Sequence, residues 1–365
     1  MYRLARALAE CGEVWLYACA GEREAERQRE RPELTLYAKT HVRNSDLGMV
    51  RPWVSSRRVR KSAPARLGRA LRDDHARVRF DAVVVEHSYA RATALHVTGV
   101  PMLVDEHNIE SRYQAQYFAA EKRDSWRTRR EVALLAAWEE RVWREAERVT
   151  CVSEDDAETL RAKRDGPIEV VPNGTALDEI AFVPASKRTG HEVLFVGLMS
   201  HAPNEAGALF LAREVMPLVW RDEPDARLVL CGRTPTRAVQ QLESDRIEVT
   251  GTVESVSPYL SRASVYANAL FQGAGSSLKV PEALASGMPM VSTEVGVRGF
   301  PLEAGVHYEA AHDAASFARA IVRSMRERSS LDARSDRSRE IATRYDWTVI
   351  GKRFASVVES MVRGE

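Results

Sequence analysis

The feature that most restricts the fold of this chain is the alternation of short, continuous apolar runs with longer segments of helical period. The runs lie at 13–20, 81–88, 101–107 and 148–153, and then at 192–197, 226–232, 247–251, 264–270 and 288–293. Continuous apolar runs of this length are typical of parallel strands covered on both faces by helices. Segments 133–149 and 206–220 are the clearest amphipathic helices. The pattern predicts an α/β protein with parallel sheets.

One segment interrupts this alternation and marks a domain boundary. Residues 170–192 read "VVPNGTALDEIAFVPASKRTGHE", whose prolines and glycines break the periodicity just before a new series of strands. We therefore expect two doubly wound, Rossmann-like domains, 1–170 and 171–343, and a C-terminal helix within 344–365 that packs back on the first. Ligands of such sheets bind beyond the carboxyl ends of the strands, so the site is expected in a cleft that the two domains face.

Composition excludes several classes of function. The chain has 53 Lys and Arg against 52 Asp and Glu, a net charge of +1, which argues against nucleic acid as the main partner. No run approaches the length of a membrane span, and the N-terminus lacks a signal-peptide pattern. The cysteines form no C-x-x-C pair and no cluster with histidine; they are Cys11, Cys19, Cys151 and Cys231. We expect a cytoplasmic protein with reduced thiols, no metal and no cofactor.

A glycine- and serine-rich loop precedes a short apolar stretch at 273–291, "GAGSSLKVPEALASGMPMV". Glycine lets a ligand approach the backbone, and free N–H groups at a helix start attract phosphate, to which Lys279 would add a full charge. The same residues are consistent with an ordinary loop in which Ser276 or Ser277 caps a helix. The loop by itself leaves both interpretations open.

A basic segment lies at 51–79, with ten Lys and Arg against Asp73 and Asp74. One interpretation is a solvated helix with a flanking loop. The other is a surface that meets an anionic membrane, peripherally, or a phosphorylated acceptor.

Several motifs in order resemble the family 4 glycosyltransferases of GT-B fold. In the second half they are "LFVGLMSHAPNEAGALFLAREVMPLVWRDEPDARLVLCGRTP" (194–235), "VTGTVESVSPYLSRASV" (249–265) and the glycine-rich loop. In the first half, "LVDEHNIESRY" (103–113) and "CVSEDDAETL" with "VVPNGTALD" (151–178) are typical of the acceptor domain and hinge. The resemblance covers nearly the whole chain and is closest to the bacterial branch that builds polysaccharides and glycoconjugates.

The resemblance implies a set of residues for the donor, a nucleotide diphosphate sugar. Lys279 would neutralise the leaving diphosphate and Arg233 would be a second cation near it. Backbone N–H groups would wrap the sugar and diphosphate from Gly273, Ala274, Gly275, Ser276 and Ser277.

Further donor contacts follow from the same resemblance. Glu282 would accept hydrogen bonds from the ribose hydroxyls; as a residue alone it is also a helix N-terminal acid favoured by the dipole. Residues 250–253 would contact the base, with Val253 packed nearby. Gly197 and Asn204 would face the cleft from the second domain.

On the acceptor side, His107 stands where the family places a histidine that faces the transferred sugar. It would donate a hydrogen bond to a sugar hydroxyl or stabilise charge at the reacting carbon. Asp105, Glu106 and Asn108 are its weaker neighbours. By resemblance, such enzymes retain the anomeric configuration without a metal, and the leaving phosphate oxygen takes the acceptor proton.

The chain departs from the family pattern at several positions. Ala274 stands where many members have a glutamate. Leu198 and Asn204 replace the usual Arg and Lys after the first strand of the second domain. Pro281 removes an N–H from the phosphate helix. The family also begins with a strand and a glycine-rich loop that precede the helix in 1–18. We therefore expect that the first strand of the N-terminal domain is missing from this sequence and that the native start lies upstream of Met1.

The sequence thus predicts a metal-independent, retaining glycosyltransferase whose acceptor is a saccharide, a lipid-linked sugar or a small molecule. Two alternatives remain open. One is a catalytically weak partner protein that binds nucleotide sugar, which the missing strand and Ala274 favour. The other is a nucleotide-sugar epimerase of the same fold, which would need acid and base carboxylates; the first half offers few beyond Asp105, Glu106 and Glu110.

Overall fold

The computed structural model describes residues 2–18, 38–41, 55–62, 64–95, 97–120, 122–272 and 276–365. The chain divides into two compact units. The first comprises Met1–Pro172 and Gly351–Glu365, and the second comprises Asn173–Ile350.

The first unit contains two parallel sheets. After α1 (Tyr2–Ala9), strands β1 (Leu16–Ala18) and β2 (Ala38–His41) pair with each other, and α2 (Arg57–Lys61) and α3 (Ala65–Val78) follow. The main sheet has the order β3-β4-β5-β6, formed by β3 (Val83–Glu86), β4 (Met102–Glu106), β5 (Arg148–Cys151) and β6 (Ile168–Val170). Its helices are α4 (Glu110–Ala120), α5 (Trp126–Glu145) and α6 (Glu154–Arg161).

Helix α5 shows how local chemistry sets an element of this unit. Ser125 caps its first turn: its hydroxyl accepts from the Thr128 N–H, and Thr128 Oγ1 accepts from the Ser125 N–H. The face of α5 that carries Val142 and Trp143 is buried against the strands of the main sheet. The cap and the apolar face together determine where the helix begins and which side it turns to the core.

The second unit is built on a six-stranded parallel sheet with the order β12-β11-β10-β7-β8-β9. The strands are β7 (Glu192–Val196), β8 (Arg227–Cys231), β9 (Ile247–Gly251), β10 (Val265–Asn268), β11 (Met290–Ser292) and β12 (Glu309–Ala310). The helices are α7 (Ala202–Phe210), α8 (Met216–Asp222), α9 (Arg237–Gln240), α10 (Ser257–Arg262), α11 (Lys279–Ala285), α12 (Ala314–Arg326), α13 (Asp332–Thr343) and α14 (Trp347–Arg363), which continues into the first unit. Because the chain order reverses between β7 and β10, the switch point lies at the carboxyl ends of these two strands.

Helices α7 and α8 form one continuous helix that is longer than the predicted segment 206–220. A π-turn, Leu211–Val215, joins them just before Pro217. Proline lacks the N–H that would bond one turn back, and its ring crowds that carbonyl. A widened turn on its N-terminal side accommodates both effects without ending the helix.

The predicted fold class is confirmed: the chain is α/β, with parallel sheets in two Rossmann-like halves. Each of the apolar runs contains a described strand. Strands β2, β6 and β12 were missed, because none of them lies in a long apolar run. Within the described part of the chain, no helix is long and apolar enough to cross a bilayer.

Candidate functional site

The loops beyond β7 and β10 bring three predicted donor-site residues into contact at the switch point. Lys279, the first residue of α11, donates from Nζ to Oδ1 of Asn204 in α7 at 2.9 Å. The Asn204 amide nitrogen donates to the Leu198 carbonyl, also at 2.9 Å. A Cβ on Gly197 would lie 2.9 Å from the Asn204 amide carbon, so glycine there leaves room for this side chain. Asn204 therefore anchors the lysine amine.

Lys279 and Glu282 are charged groups among buried neighbours. The amine of Lys279 lies 5.1 Å from the centre of the Phe195 ring. Burial lowers the pKa of Lys279 to about 8, although the negative charge of Glu282 by itself would raise it. Glu282 lies one turn further along α11. Burial raises its pKa to about 7, although the positive charge of Lys279 by itself would lower it. Perturbed groups at the ligand-binding edge of such a sheet are typical of functional sites.

The loop before α11 is described only from residue 276. Ser276 Oγ accepts from the Asn173 amide at 2.9 Å, and Ser277 Oγ is buried without a hydrogen-bond partner among the described residues. The helix begins at Lys279 with no side-chain cap, so the alternative of a serine cap is wrong. Pro281 is buried in the first turn, where an N–H would have no intrahelical partner. The predicted backbone contacts of Gly273, Ala274 and Gly275 lie outside the described residues.

Arg233 and Val253 lie on the loops after β8 and β9. Gly232, before Arg233, has φ 154°, and a Cβ there would fall 1.7 Å from the Gly197 carbonyl oxygen. Only glycine allows the loops after β7 and β8 to approach this closely. The Arg233 side chain is exposed, and Val253 packs on the core of the second unit. The described contacts do not join Arg233 to Lys279, so its role as second cation stays a prediction.

In the first unit, His107 lies where the carboxyl ends of β3 and β4 meet. The register pairs Glu86 with Asp105. His107 Nε2 is 2.6 Å from Glu86 Oε2 and 3.3 Å from Asp105 Oδ2. Burial by itself would lower the pKa of His107, but the hydrogen bonds and charges of the two carboxylates raise it to about 10. The ring is therefore an imidazolium at neutral pH.

Asp105 is held from the other side by β5. Its Oδ1 accepts from Thr150 Oγ1 at 2.6 Å, and its side chain is buried. Burial opposes the charge on Asp105, but His107 and Thr150 keep its pKa below the usual value. Glu86, Asp105 and His107 also place one ligand atom each within 4.8 Å of one another. By that spacing alone the trio could hold a proton or a cation.

The other acidic residues of this region are engaged by neighbours. Glu106 is fully buried and accepts from the Trp143 indole at 2.7 Å and from a backbone N–H. Glu139 accepts from the Ser111 N–H, and burial together with the charge of Glu106 raises its pKa to about 8. Glu110 lies 3.4 Å from the guanidinium of Arg58. These contacts reduce the number of carboxylates available as acid or base.

Glu86 and the adjacent His87 were missed by the sequence analysis, where they were read only as the end of an apolar run. His87 has φ 65°, a conformation that is uncommon for residues other than glycine. Its ring lies 4.8 Å from those of both Tyr89 and His107. The sequence signal that could have revealed them is the Glu–His pair at the end of β3, the strand next to the one that ends in "DEH". Asn108, another predicted neighbour, follows His107 and is half-buried.

Comparison with known proteins assigns both halves to one class. The profile described as "Glycosyltransferase Family 4" matches residues 1–179, and the profile described as "Glycosyl transferases group 1" matches residues 190–327. The chain belongs to the family 4 glycosyltransferases of GT-B fold, as the resemblance predicted.

Individual relatives are distant. The chain is 26% identical over 196 residues to a phosphatidyl-myo-inositol mannosyltransferase of Propionibacterium freudenreichii, covering 50% of this chain and 48% of that protein. It is also 26% identical over 139 residues to an uncharacterized 44.6 kDa protein in the cps region of Klebsiella pneumoniae, covering 36% of each. The chain thus spans half or less of the length of these curated relatives.

Solved structures share the fold at low identity. Anabaena HepE in complex with UDP and glucose has a TM-score of 0.68 at 14% identity, covering 98% of this chain and 94% of HepE. A sucrose-phosphate synthase from Thermosynechococcus elongatus has a TM-score of 0.67 at 19% identity, covering 89% and 84%. These similarities support the fold.

Proposed function

We propose that this protein transfers a sugar from a nucleotide diphosphate donor to a saccharide, lipid-linked or small-molecule acceptor. The observation that carries the proposal is the Lys279 amine, held by Asn204 at the switch point of the second sheet. A cation fixed in advance among buried neighbours stabilises a leaving diphosphate without reorganising during the reaction. Family membership supports this function, as does the solved complex of HepE with UDP and glucose.

In this proposal each predicted residue has one task. Lys279, with Arg233 as second cation, stabilises the leaving diphosphate. Glu282 accepts from the ribose, and the 273–277 loop wraps the phosphates. His107 donates to an oxygen of the transferred sugar. The reaction retains the anomeric configuration and uses no metal or cofactor. The departing phosphate oxygen takes the acceptor proton, so no carboxylate base is needed. The product belongs to polysaccharide or glycoconjugate synthesis in the cytoplasm.

A nucleoside diphosphate is expected to raise the melting temperature, since a ligand bound only by the native state stabilises it. At a concentration of 100 Kd the stabilisation is about 2.7 kcal/mol, an upward shift of several degrees. The measurement is a thermal-shift screen over nucleoside diphosphates and nucleotide sugars, with nucleoside monophosphates as the control. Donor hydrolysis in the presence of EDTA then tests turnover without a metal.

The same assay separates the alternatives. Slow release of nucleoside diphosphate supports transfer chemistry, and the anomeric configuration of the product, read by NMR, tests retention. Binding with no release favours a catalytically weak partner protein. Conversion of the donor into its epimer, with the diphosphate bond intact, favours an epimerase. A screen without any thermal shift contradicts the donor site itself.

We also propose that the predicted basic surface, seen on α2 and α3, meets anionic lipid headgroups peripherally. The exposed cations of these helices are Arg57, Arg58, Lys61, Arg66, Arg69, Arg72 and Arg77; residues 51–54 and 63 of the predicted segment lie outside the described residues. Binding to phosphatidylglycerol vesicles should exceed binding to phosphatidylcholine vesicles and weaken with salt. The double variant Lys61→Glu and Arg69→Glu should bind about thirtyfold less tightly or worse, at roughly 1 kcal/mol per basic residue.

The control for this vesicle assay reverses two exposed arginines of the second unit, Arg213→Glu and Arg221→Glu. It changes the net charge equally but leaves α2 and α3 intact. Equal loss of binding in both double variants would contradict a specific lipid-facing surface.

A further inference from the structure

The end of β3 carries a carboxylate that the resemblance did not assign. Glu86 is the last residue of β3, and its backbone is paired in register with Asp105 of β4. The carboxyl ends of parallel strands meet at one edge, so both side chains reach the residue that leaves β4 next, His107. Glu86 and His107 are separated by 21 positions in the sequence and by 2.6 Å in space.

The two carboxylates face the same ring nitrogen. Nε2 of His107 lies within reach of both Glu86 and Asp105, so this nitrogen carries a hydrogen. Two negative charges near one ring favour its charged form. In that form the second nitrogen, Nδ1, also carries a hydrogen that can be donated. The two carboxylates that face Nε2 thus keep a hydrogen on Nδ1, which Nδ1 can donate.

The surrounding groups do not compete for the ring. Glu106 bonds to Trp143 and to the Ser88 N–H, and its other oxygen lies 3.5 Å from Nδ1 of His87. The Arg58 guanidinium lies over the Tyr89 ring. The charged groups that act on His107 are Asp105 and Glu86. The His87 ring lies beside it and in turn faces Glu106 and Tyr89.

We propose that Glu86 is a positioning residue: with Asp105 it holds the His107 ring as an imidazolium, with Nε2 turned to the protein and Nδ1–H presented to a substrate oxygen. This inference rests on the proposed function for the identity of that oxygen, which belongs to a sugar hydroxyl or to the reacting centre. The orientation and charge of the ring do not depend on it.

Direct contact argues for a shared proton rather than a metal ion between these groups. Nitrogen and oxygen ligands each about 2.0–2.2 Å from a tetrahedral ion lie roughly 3 Å or more apart. His107 Nε2 and Glu86 Oε2 are closer than that and have the separation of a charge-assisted hydrogen bond. Asp105 also bonds to Thr150, which fixes it without an ion.

The test is a histidine-labelled ¹⁵N NMR titration of the full chain between pH 6 and 11, with the His107 signals assigned by their loss in His107→Gln. In the wild type, both ring nitrogens are expected to stay protonated up to pH 9, given a pKa of about 10. Glu86→Gln keeps the shape and an acceptor but removes the charge, and should lower the midpoint by about one unit or more. Glu86→Asp, which keeps the charge, should restore part of the shift.

Glu147→Gln is the matched control, because Glu147 is exposed beside the amino end of β5, and it should leave the midpoint unchanged. Glu86→Gln should reduce donor turnover about tenfold, with nucleoside diphosphate binding retained. This is less than the roughly 10²–10⁴-fold that a positioned proton donor itself contributes, because the His107 ring remains in place. A wild-type midpoint near 6.5, or the same midpoint in Glu86→Gln, would overturn the proposal. So would displacement of the ring proton by added Zn²⁺ or Mn²⁺. These NMR results can be read even if no nucleotide binds, so they fail or succeed separately from the proposed function.

Discussion

Lys279→Met is expected to reduce donor turnover by about 10²–10³-fold, the usual effect of removing one preorganised group that stabilises developing negative charge. The same substitution should abolish the rise in melting temperature produced by nucleoside diphosphates. Methionine fills a similar volume and keeps the contact with the Phe195 ring but has no charge. Both effects arise because the amine that Asn204 holds is the cation proposed to meet the diphosphate.

The unliganded variant should nevertheless remain folded. The pKa of Lys279 is about 8, below its ordinary value of 10.5, because burial disfavours the charged amine. Below pH 8 the lysine is charged in both the folded and unfolded states, and burying that charge costs folding free energy. Between pH 8 and 10.5 the unfolded state binds more protons than the native state, so this cost disappears as the pH rises. The wild type should therefore gain stability relative to Lys279→Met across that window.

The measurements are donor hydrolysis and melting temperature with and without nucleoside diphosphate, from pH 7 to 10.5. Lys187→Met is the control, because Lys187 is an exposed lysine in the same unit. Unchanged turnover in Lys279→Met, or a diphosphate shift that survives it, would contradict the assigned role.

Arg188→Met is expected to destabilise the second unit by about 4 kcal/mol, since it leaves the buried carbonyls of Leu260 and Ala263 without partners at roughly 1–3 kcal/mol each. The Ser286 carbonyl keeps the Val183 N–H as a second donor. The buried guanidinium donates to the carbonyls of Val183 at 3.0 Å, Leu260 at 2.8 Å and Ser286 at 2.6 Å, and also to that of Ala263. It thereby joins the segment before β7 to the ends of α10 and α11. Burial lowers the pKa of Arg188 to about 10, so the group remains charged at neutral pH.

The corresponding fall in melting temperature is about 10 °C for a unit of this size. Arg188→Lys should recover little of it, because a single ammonium cannot reproduce the planar fork of a guanidinium. Arg237→Met removes an exposed arginine of the same unit and serves as the control in calorimetry or circular dichroism. If Arg188→Lys has the same melting temperature as the wild type, the carbonyls find other hydrogen-bond donors and the proposed role of the guanidinium is wrong.

Local pattern predicted the main strands because burial on both faces is encoded within a few neighbouring residues. Each apolar run holds one strand, and the amphipathic segment 133–149 overlaps α5 (Trp126–Glu145). The short strands β6 and β12 carry too few apolar residues to stand out. Arg188 lies in the 170–192 segment that was predicted to be a domain boundary, and no local signal distinguishes it from a surface arginine.

The site could be predicted in part. Asn204 and Lys279 were found by resemblance, yet their contact joins residues 75 positions apart and was not foreseen. Glu86 was missed because its proximity to His107 depends on the register of β3 against β4. A shift of one residue in that register would turn its side chain to the opposite face of the sheet.

The sequence by itself determined the class of this protein: two parallel α/β halves, the segment between them, and motifs typical of family 4 glycosyltransferases. Only the tertiary structure decided which side chains meet, namely Asn204 with Lys279, Glu86 with His107, and Arg188 with its carbonyls. The physical reason is that periodicity reports how each residue is buried, which is a local property. Contacts between distant residues depend on strand order, register and the approach of loops, and these are set by the packing of the whole unit.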